Sequence, residues 1–158
     1  MGWQHLRQSG ILRKTRIHER SLSMLVPVSA TTAIVLAGLF VKLAFGVIKK
    51  RHVHKVALGT GQHPDLEAAI RAHGNFAEYV PLSLLLIAFA EINRSPWWLV
   101  AIAAAALVAG RYVHAIAITG SDLKKRVIGM QLTFASLALG VIANAVPLAV
   151  AVMSVSTS

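Results

Sequence analysis

The chain has 158 residues, no cysteine and a formal net charge of +10, with sixteen Lys and Arg residues against six Asp and Glu. The length fits one domain, and the lack of cysteine excludes disulfides, thiolate nucleophiles, cysteine-based zinc sites and iron–sulfur ligation. Hydrophobic residues make up 56 % of the chain, above the roughly 45–50 % of soluble domains. The basic residues cluster between apolar stretches, which favours contact with anionic lipid headgroups and argues against nucleic-acid binding.

Four apolar segments each reach the roughly 20 residues that a helix needs to span the hydrocarbon core of a membrane. In chain order they cover about 25–48, 68–92, 96–118 and 127–153. None shows the apolar–polar alternation of a strand, and backbone groups inside lipid must be paired within a helix or a closed barrel. The sequence therefore predicts an all-α fold, a bundle of four transmembrane helices.

The first 23 residues are polar and basic, unlike the rest of the chain, and Met24 directly precedes the first apolar segment. We interpret residues 1–23 as a basic N-terminal extension, disordered or upstream of the start site, and residues 24–158 as the membrane domain. With the extension, five basic residues plus Arg94 make six on one side of the membrane, and the loops at 49–55 and 124–126 carry seven on the other. The positive-inside rule cannot separate these counts.

Without the extension the count is one against seven, which places the loops after the first and third helices in the cytoplasm. The sequence thus predicts an integral, multi-pass membrane protein, which in a bacterium would lie in the inner (plasma) membrane.

Polar residues recur at helical spacing in the second apolar segment. Arg71, Asn75 and Glu78 stand at i, i+4 and i+7, which places them on one face of a helix. Charged groups inside a membrane cost roughly 2.5–3.5 kcal/mol each, so they usually face a cavity or a partner. Arg111 and His114, one turn apart in the third segment, add a second polar face. Together these residues predict a polar pocket between helices, with arginines for carboxylates and Glu78 for an ammonium group.

A purely structural interpretation of the same residues stays open. Arg71 lies near a helix end and could extend to the headgroups, and Glu78 could simply neutralise Arg111. Lys42 and Glu91 are likewise interpreted as side chains that extend from near helix ends to the headgroups.

The sequence predicts no metal site. The pair His52 and His54 lacks further ligands at useful spacing. His73 lies off the face that carries Arg71, so a haem held between two histidines is not expected either.

The run from Arg71 to Pro81 resembles the signature of the MAPEG family, the membrane-associated proteins in eicosanoid and glutathione metabolism. That signature is Arg, three residues, Asn, two residues, Glu-Tyr, one residue and Pro, and it is met here without a gap. The basic run after the first segment and the stretch from Gly110 to His114 are also similar. The resemblance covers roughly Met24 to the end of the chain and looks most like the small bacterial branch of the family.

The resemblance implies a homotrimer that binds glutathione between neighbouring subunits at the cytoplasmic side. The residues that it implies for glutathione binding are Arg51, Arg71, His73, Asn75, Glu78, Tyr79 and Tyr112. In transferases of the family an arginine beyond the third helix lowers the pKa of the glutathione thiol. That position falls at Leu123 here, so Lys124 or Arg111 would supply the catalytic cation. The implied activity is glutathione transfer or peroxide reduction toward lipophilic small molecules dissolved in membrane lipid.

Two other functions remain open at this point. A non-enzymatic lipid- or ligand-binding protein of the same fold would need no cation to stabilise a thiolate. A small proton-coupled exporter would use Glu78 to exchange protons for a cation, although Arg71 and Arg111 would neutralise such a site.

Overall fold

The structure, a computed structural model, describes residues 26–120 and 122–156. These residues form four helices, α1 (Pro27–His54), α2 (Pro64–Ile92), α3 (Trp97–Thr119) and α4 (Leu123–Ser156). All four are long and apolar enough to cross a membrane. The prediction of an all-α chain with four transmembrane helices is therefore confirmed, while the proposed extension at 1–23 lies outside the described residues.

The helices run further than the apolar segments because polar residues continue or cap them. The predicted end of α1 near residue 48 is wrong, since the helix continues through the basic run to His54. It closes on Lys55, which has a left-handed φ of 54°. The N–H of Lys55 donates to His52 O (3.3 Å) and that of Val56 to Arg51 O (3.0 Å), the two bonds of a Schellman motif.

The predicted start of α4 near residue 127 is also wrong. The helix begins four residues earlier, at Leu123. Asp122 precedes it, and its Oδ1 accepts a hydrogen bond from the backbone N–H of Lys125 (3.0 Å). A side-chain oxygen at this position pairs one of the backbone donors that every helix start leaves free. The basic residues 124–126 therefore belong to the first turn of α4.

Helices α2 and α3 form the centre of the bundle. Helix α1 packs against both of them, and so does α4, whereas α1 and α4 do not meet within the described residues. The core between them is built from aliphatic and aromatic side chains, among them Leu36, Phe76, Ile87, Val100 and Leu107. Large apolar side chains also cover the outer surface, as expected where the surrounding solvent is lipid.

Two glycines bring α3 and α4 into backbone contact. A Cβ at Gly129 would lie 2.7 Å from the backbone nitrogen of His114, and one at Gly110 would lie 2.9 Å from the carbonyl oxygen of Gly129. Further along, Ser136 Oγ donates to Ala103 O across the same interface (2.7 Å). Small residues allow such close approach between membrane helices. The last turns of α3 are thereby fixed against the first turns of α4.

At the other end of the bundle Glu91 of α2 caps the start of α1. Its Oε1 accepts a hydrogen bond from the N–H of Val28 (2.9 Å), and its Oε2 accepts from the N–H (2.9 Å) and the Oγ (2.6 Å) of Ser29. A carboxylate is favourable here because the N-terminus of a helix carries partial positive charge. Glu91 is therefore a helix cap supplied by a neighbouring helix, and not the headgroup-seeking side chain that the sequence predicted.

Candidate functional site

A groove of about 930 Å³ opens at the end of the bundle that carries the loops after α1 and α3. The first four turns of α2, the last turn of α3 and the start of α4 form its walls. Its volume falls in the range of roughly 300–1,000 Å³ that is usual for small-molecule sites. The charged and amide side chains that line it are Glu67, Arg71, Asn75, Glu78, Asp122 and Arg126.

The structure brings Arg71, Asn75 and Glu78 together in this groove, as their helical spacing predicts. Arg71 Nε lies 3.9 Å from Glu67 Oε1, and both side chains are more than half exposed, so this ion pair holds the guanidinium only weakly. Within the described residues Glu78 is exposed and makes no ion pair. One cation and one carboxylate on α2 are therefore available to a ligand.

Arg111 lies beneath the groove and is only 1 % exposed. Its Nη1 donates to both Asn75 Oδ1 (2.9 Å) and Asn75 O (3.2 Å), and its guanidinium carbon lies 5.7 Å from the centre of the Tyr79 ring. Its Nε has no hydrogen-bond partner within the described residues. Arg111 thus orients Asn75, and the structure shows no ion pair between Arg111 and Glu78, the neutralising contact considered from the sequence.

The cation that α4 contributes to the groove is Arg126. Because α4 begins at Leu123, residues 123 and 126 lie on one face of the helix, and both line the groove. Lys124 is exposed and does not line it. Sequence reasoning missed Arg126 because it assigned this residue to a loop. The signal that could have found it is Asp122, a good N-cap residue directly before the basic run.

Asp122, the third carboxylate that lines the groove after Glu67 and Glu78, already has a partner. Asp122 forms an ion pair with Lys125, whose Nζ lies 3.1 Å from Asp122 Oδ2. The hydrogen bonds from the backbone N–H and then from the ammonium group of Lys125 hold the pKa of Asp122 below its ordinary value. Asp122 therefore remains ionised and paired, and it adds little net charge to the groove.

Arg51, which the resemblance assigns to glutathione binding, does not line the groove. Its Nη1 donates to the carbonyl oxygens of Ala57 (3.1 Å) and Gly59 (3.2 Å) in the loop after α1. It therefore stabilises that loop, and it lines a separate, smaller cavity of about 360 Å³ at the end of α1.

The three remaining predicted residues also lie outside the groove lining. The ring of His73 packs against Phe40 of α1 at 4.7 Å between centroids, and its buried Nε2 has no hydrogen-bond partner in the part of the chain that the structure describes. Tyr79 meets Phe134 of α4 edge-on at 5.6 Å. Tyr112 is 39 % exposed on α3. A single chain therefore gathers only part of the implied set around the groove.

Four membrane-spanning helices, with an Arg–Asn–Glu face on the second helix, define the class as a small integral membrane protein with a polar groove at one end. The MAPEG family model matches residues 29–146, and the chain belongs to this family. It is similar to the inner membrane protein YecN of Escherichia coli strains K12 and O6:H1. Each is 38 % identical over 117 residues, which cover 74 % of this chain and 89 % of YecN. The predicted family and the multi-pass membrane location are thus confirmed.

Proposed function

We propose that this protein is a homotrimeric inner-membrane protein that binds glutathione in the groove and acts as a glutathione transferase or peroxidase on lipophilic electrophiles. Membership of the MAPEG family supports the link to glutathione, and the name of the YecN relatives supports the inner membrane. The observation that carries the proposal is the convergence of Arg71, Asn75, Glu78 and Arg126 in one groove at the end of the bundle.

The groove residues fit the charges of glutathione, which carries two carboxylates and one ammonium group. Arg71 and Arg126 offer guanidinium groups for the carboxylates, and the exposed carboxylate of Glu78 offers an acceptor for the ammonium group. Asn75 accepts from Arg111 through its side-chain oxygen, which leaves its NH₂ group as a donor toward the ligand. Each charged group of glutathione thus has a partner of the opposite charge in the groove.

Glutathione supplies the nucleophilic sulfur, so a chain without cysteine can serve this chemistry. The role of the protein would be to favour the ionised form of the glutathione thiol. A nearby cation does this because it lowers the pKa of the thiol. Arg126 at the groove wall and Arg111 beneath it are the two candidates, and Arg111 has no acidic partner within the described residues that would compensate its charge. Lys124, the cation expected from the sequence, becomes the comparison residue for the test.

The exposed face of α2 supports assembly into a homotrimer. Beyond Glu78 this face continues with four apolar residues, each more than half exposed in the single chain: Leu82, Leu85, Phe89 and Ile92. Their alternating spacing of three and four residues is that of a coiled-coil seam. Packing of this seam against other copies would leave the groove at the boundary between subunits.

The test is calorimetry of reduced glutathione with the purified protein in detergent, with thiolate absorbance measured in parallel. We expect binding accompanied by a thiolate signal. Arg71→Ala should weaken binding about tenfold or more, since a charge-assisted hydrogen bond is lost. Binding without thiolate would favour the non-enzymatic ligand-binding alternative, and no binding would remove glutathione and leave the fold unaffected.

A pair of variants separates the two possible cations of α4. Arg126→Gln should reduce the thiolate absorbance of bound glutathione, whereas Lys124→Gln, two residues away on an exposed face, should leave it unchanged. The reverse result would return the catalytic role to Lys124. S-methylglutathione, which has no ionisable thiol, serves as the ligand that measures binding alone.

A further inference from the structure

Two charges of opposite sign stand within the membrane spans without a partner among the described residues of their own chain. Lys42 of α1 and Glu78 of α2 are both exposed, and neither makes a hydrogen bond or ion pair within the described residues. A charged side chain inside a membrane span is costly and usually faces a cavity or pairs with another polar group. Each of these residues therefore requires a partner that residues 26–120 and 122–156 of the same chain do not provide.

Both charged residues are flanked by glycines that have no neighbouring atoms where a side chain would begin. Gly38 and Gly46 lie one turn before and one turn after Lys42, and Gly74 lies one turn before Glu78. A Cβ at any of the three would meet no atom within 4 Å. Small residues on a membrane helix permit close approach of a second helix. The face of α1 around Lys42 and the groove face of α2 around Glu78 are thus both shaped to receive a helix.

The backbone positions of the two charged residues differ in depth by about 8 Å, a distance that their side chains can span. The ring of Phe40 contacts His73 at 4.7 Å and Phe76 at 5.7 Å between centroids, which fixes the level of α1 against α2. With a rise of 1.5 Å per residue, Lys42 lies about 3 Å from that level and Glu78 about 5 Å from it on the other side. Side chains lean toward the N-terminus of their helix. Because α1 and α2 are antiparallel, the two side chains lean toward each other's level.

We propose that α1 of a second copy of this chain docks on the groove face of α2, so that Lys42 of the partner subunit pairs with Glu78. All copies in one membrane share the same orientation, and rotation about the membrane normal preserves depth, so the match within a chain holds between chains. The contact joins two different faces, as in a ring of identical subunits. The inference rests on the proposed homotrimer, but it assigns a residue to the site that family membership does not.

In this arrangement α1 of the partner subunit closes the lipid side of the groove beside Glu78. The carboxylate has two oxygens and about four acceptor positions, so one oxygen can accept from the lysine ammonium while the other faces the groove. Pairing removes an isolated negative charge from the membrane, and the groove gains a wall that separates a polar ligand from lipid. A Lys42 contribution would make each ligand site depend on two subunits.

Because the natural chain has no cysteine, single-cysteine copies can test the contact without background. Copies that carry Lys42→Cys and one affinity tag are expressed together with copies that carry Glu78→Cys and a second affinity tag. The membranes are then treated with a short thiol–thiol crosslinker. Each copy has one thiol, so every crosslink joins two subunits. We expect a product that carries both tags. Val41→Cys, which is at almost the same depth but about 100° around the helix, should give none with Glu78→Cys.

Charge reversal provides the second measurement. Lys42→Glu and Glu78→Lys should each cause loss of the trimer, measured by light scattering of the purified protein, and the double variant should restore it. A wild-type trimer without the 42–78 crosslink, or with equal crosslinking through Val41→Cys, would overturn this inference and leave the proposed function standing. So would single reversals that stay trimeric. A monomeric wild-type protein would overturn both the inference and the proposed homotrimer.

Discussion

Arg111 keeps its guanidinium in the interior of the bundle, where its partners among the described residues are amide, carbonyl, thioether and aromatic groups and no carboxylate. Burial of a charge without a counterion opposes folding, and a role in the proposed thiolate chemistry would account for an arginine at this position. We expect Arg111→Met, which fills similar space, to keep or raise the melting temperature while the thiolate signal of bound glutathione falls. Thermal unfolding and ultraviolet absorbance of the same detergent samples check both halves.

The truncation Arg111→Ala is the matched control. It removes the same charge but leaves a cavity, and large-to-alanine changes in a core typically cost about 2–5 kcal/mol. If Arg111→Met lost as much stability as Arg111→Ala, the hydrogen bonds to Asn75 would be the reason for the arginine, and its role would be structural.

The residues of the groove were predictable only where one helix carries them. The spacing of Arg71, Asn75 and Glu78 fixes a common face whatever lies beside α2. The contact between Arg111 and Asn75 depends on how α3 is rotated against α2, which a periodic pattern within one helix does not determine. The entry of Arg126 into the groove depends on where α4 begins, because a shift of one residue turns a side chain by about 100° around the helix.

At the level of elements, Glu91 makes the start of α1 dependent on the end of α2. Its carboxylate pairs two backbone donors and one hydroxyl at Val28 and Ser29. We expect Glu91→Ala to reduce the free energy of unfolding by about 0.5–2 kcal/mol, the usual range for a lost cap. Glu91→Gln keeps one acceptor oxygen and should lose less.

Hydrogen exchange locates the effect of Glu91 within the chain. In Glu91→Ala the amides of Val28 and Ser29 should exchange faster, because their acceptor is gone, while amides in the core of α3 should keep their protection. Faster exchange across all four helices would mean that Glu91 stabilises the bundle as a whole and not the first turn of α1.

The crossing of α3 and α4 tolerates no side chain at Gly129. A Cβ there would meet two backbone atoms, His114 N at 2.7 Å and Gly110 O at 2.9 Å, and the Cβ of His114 at 2.8 Å. None of these atoms can move without its helix, so the helices themselves must separate. We expect Gly129→Ala to destabilise the protein by about 1–3 kcal/mol, as for overpacking in a core. Denaturant or thermal unfolding in detergent measures this. Ala135→Leu, at an exposed position of the same helix, should change stability little; equal losses would argue against backbone contact as the cause.

Asp122 links the start of α4 to pH. Its folded pKa is lowered by the N–H and the ammonium group of Lys125, so it lies below the unfolded value of about 3.9. The cap therefore contributes its full stability above the unfolded pKa and loses it as the pH falls through the folded pKa. We expect Asp122→Ala to lower the melting temperature at pH 7, with a smaller difference from wild type in strong acid. Asp122→Asn keeps an acceptor oxygen but should lose this pH dependence, as melting curves across acid pH would show.

The apolar segments predicted that four helices exist, but they did not predict where the helices end. Length and hydropathy define the part of a helix that lies in lipid, and that part was predicted for all four. The polar ends of α1 and α4 are set by local hydrogen bonds instead, by the left-handed Lys55 in one case and by the Asp122 cap in the other. These few residues convert parts of two predicted loops into helical turns, and the turn at the start of α4 places Arg126 at the groove.

For the whole molecule, the distribution of basic loops predicts the orientation in the membrane. Without residues 1–23, the side with the loops after α1 and α3 carries seven Lys and Arg residues against Arg94 alone on the other side, so the groove should open to the cytoplasm. Single cysteines report this in a chain that has none. Leu58→Cys, at a position 89 % exposed in the loop after α1, should resist a membrane-impermeant maleimide in intact spheroplasts, and Arg94→Cys should react. Labelling of Leu58→Cys from outside would mean that the groove faces away from the cytoplasm. The proposed transferase would then lack access to cytoplasmic reduced glutathione, its thiol substrate.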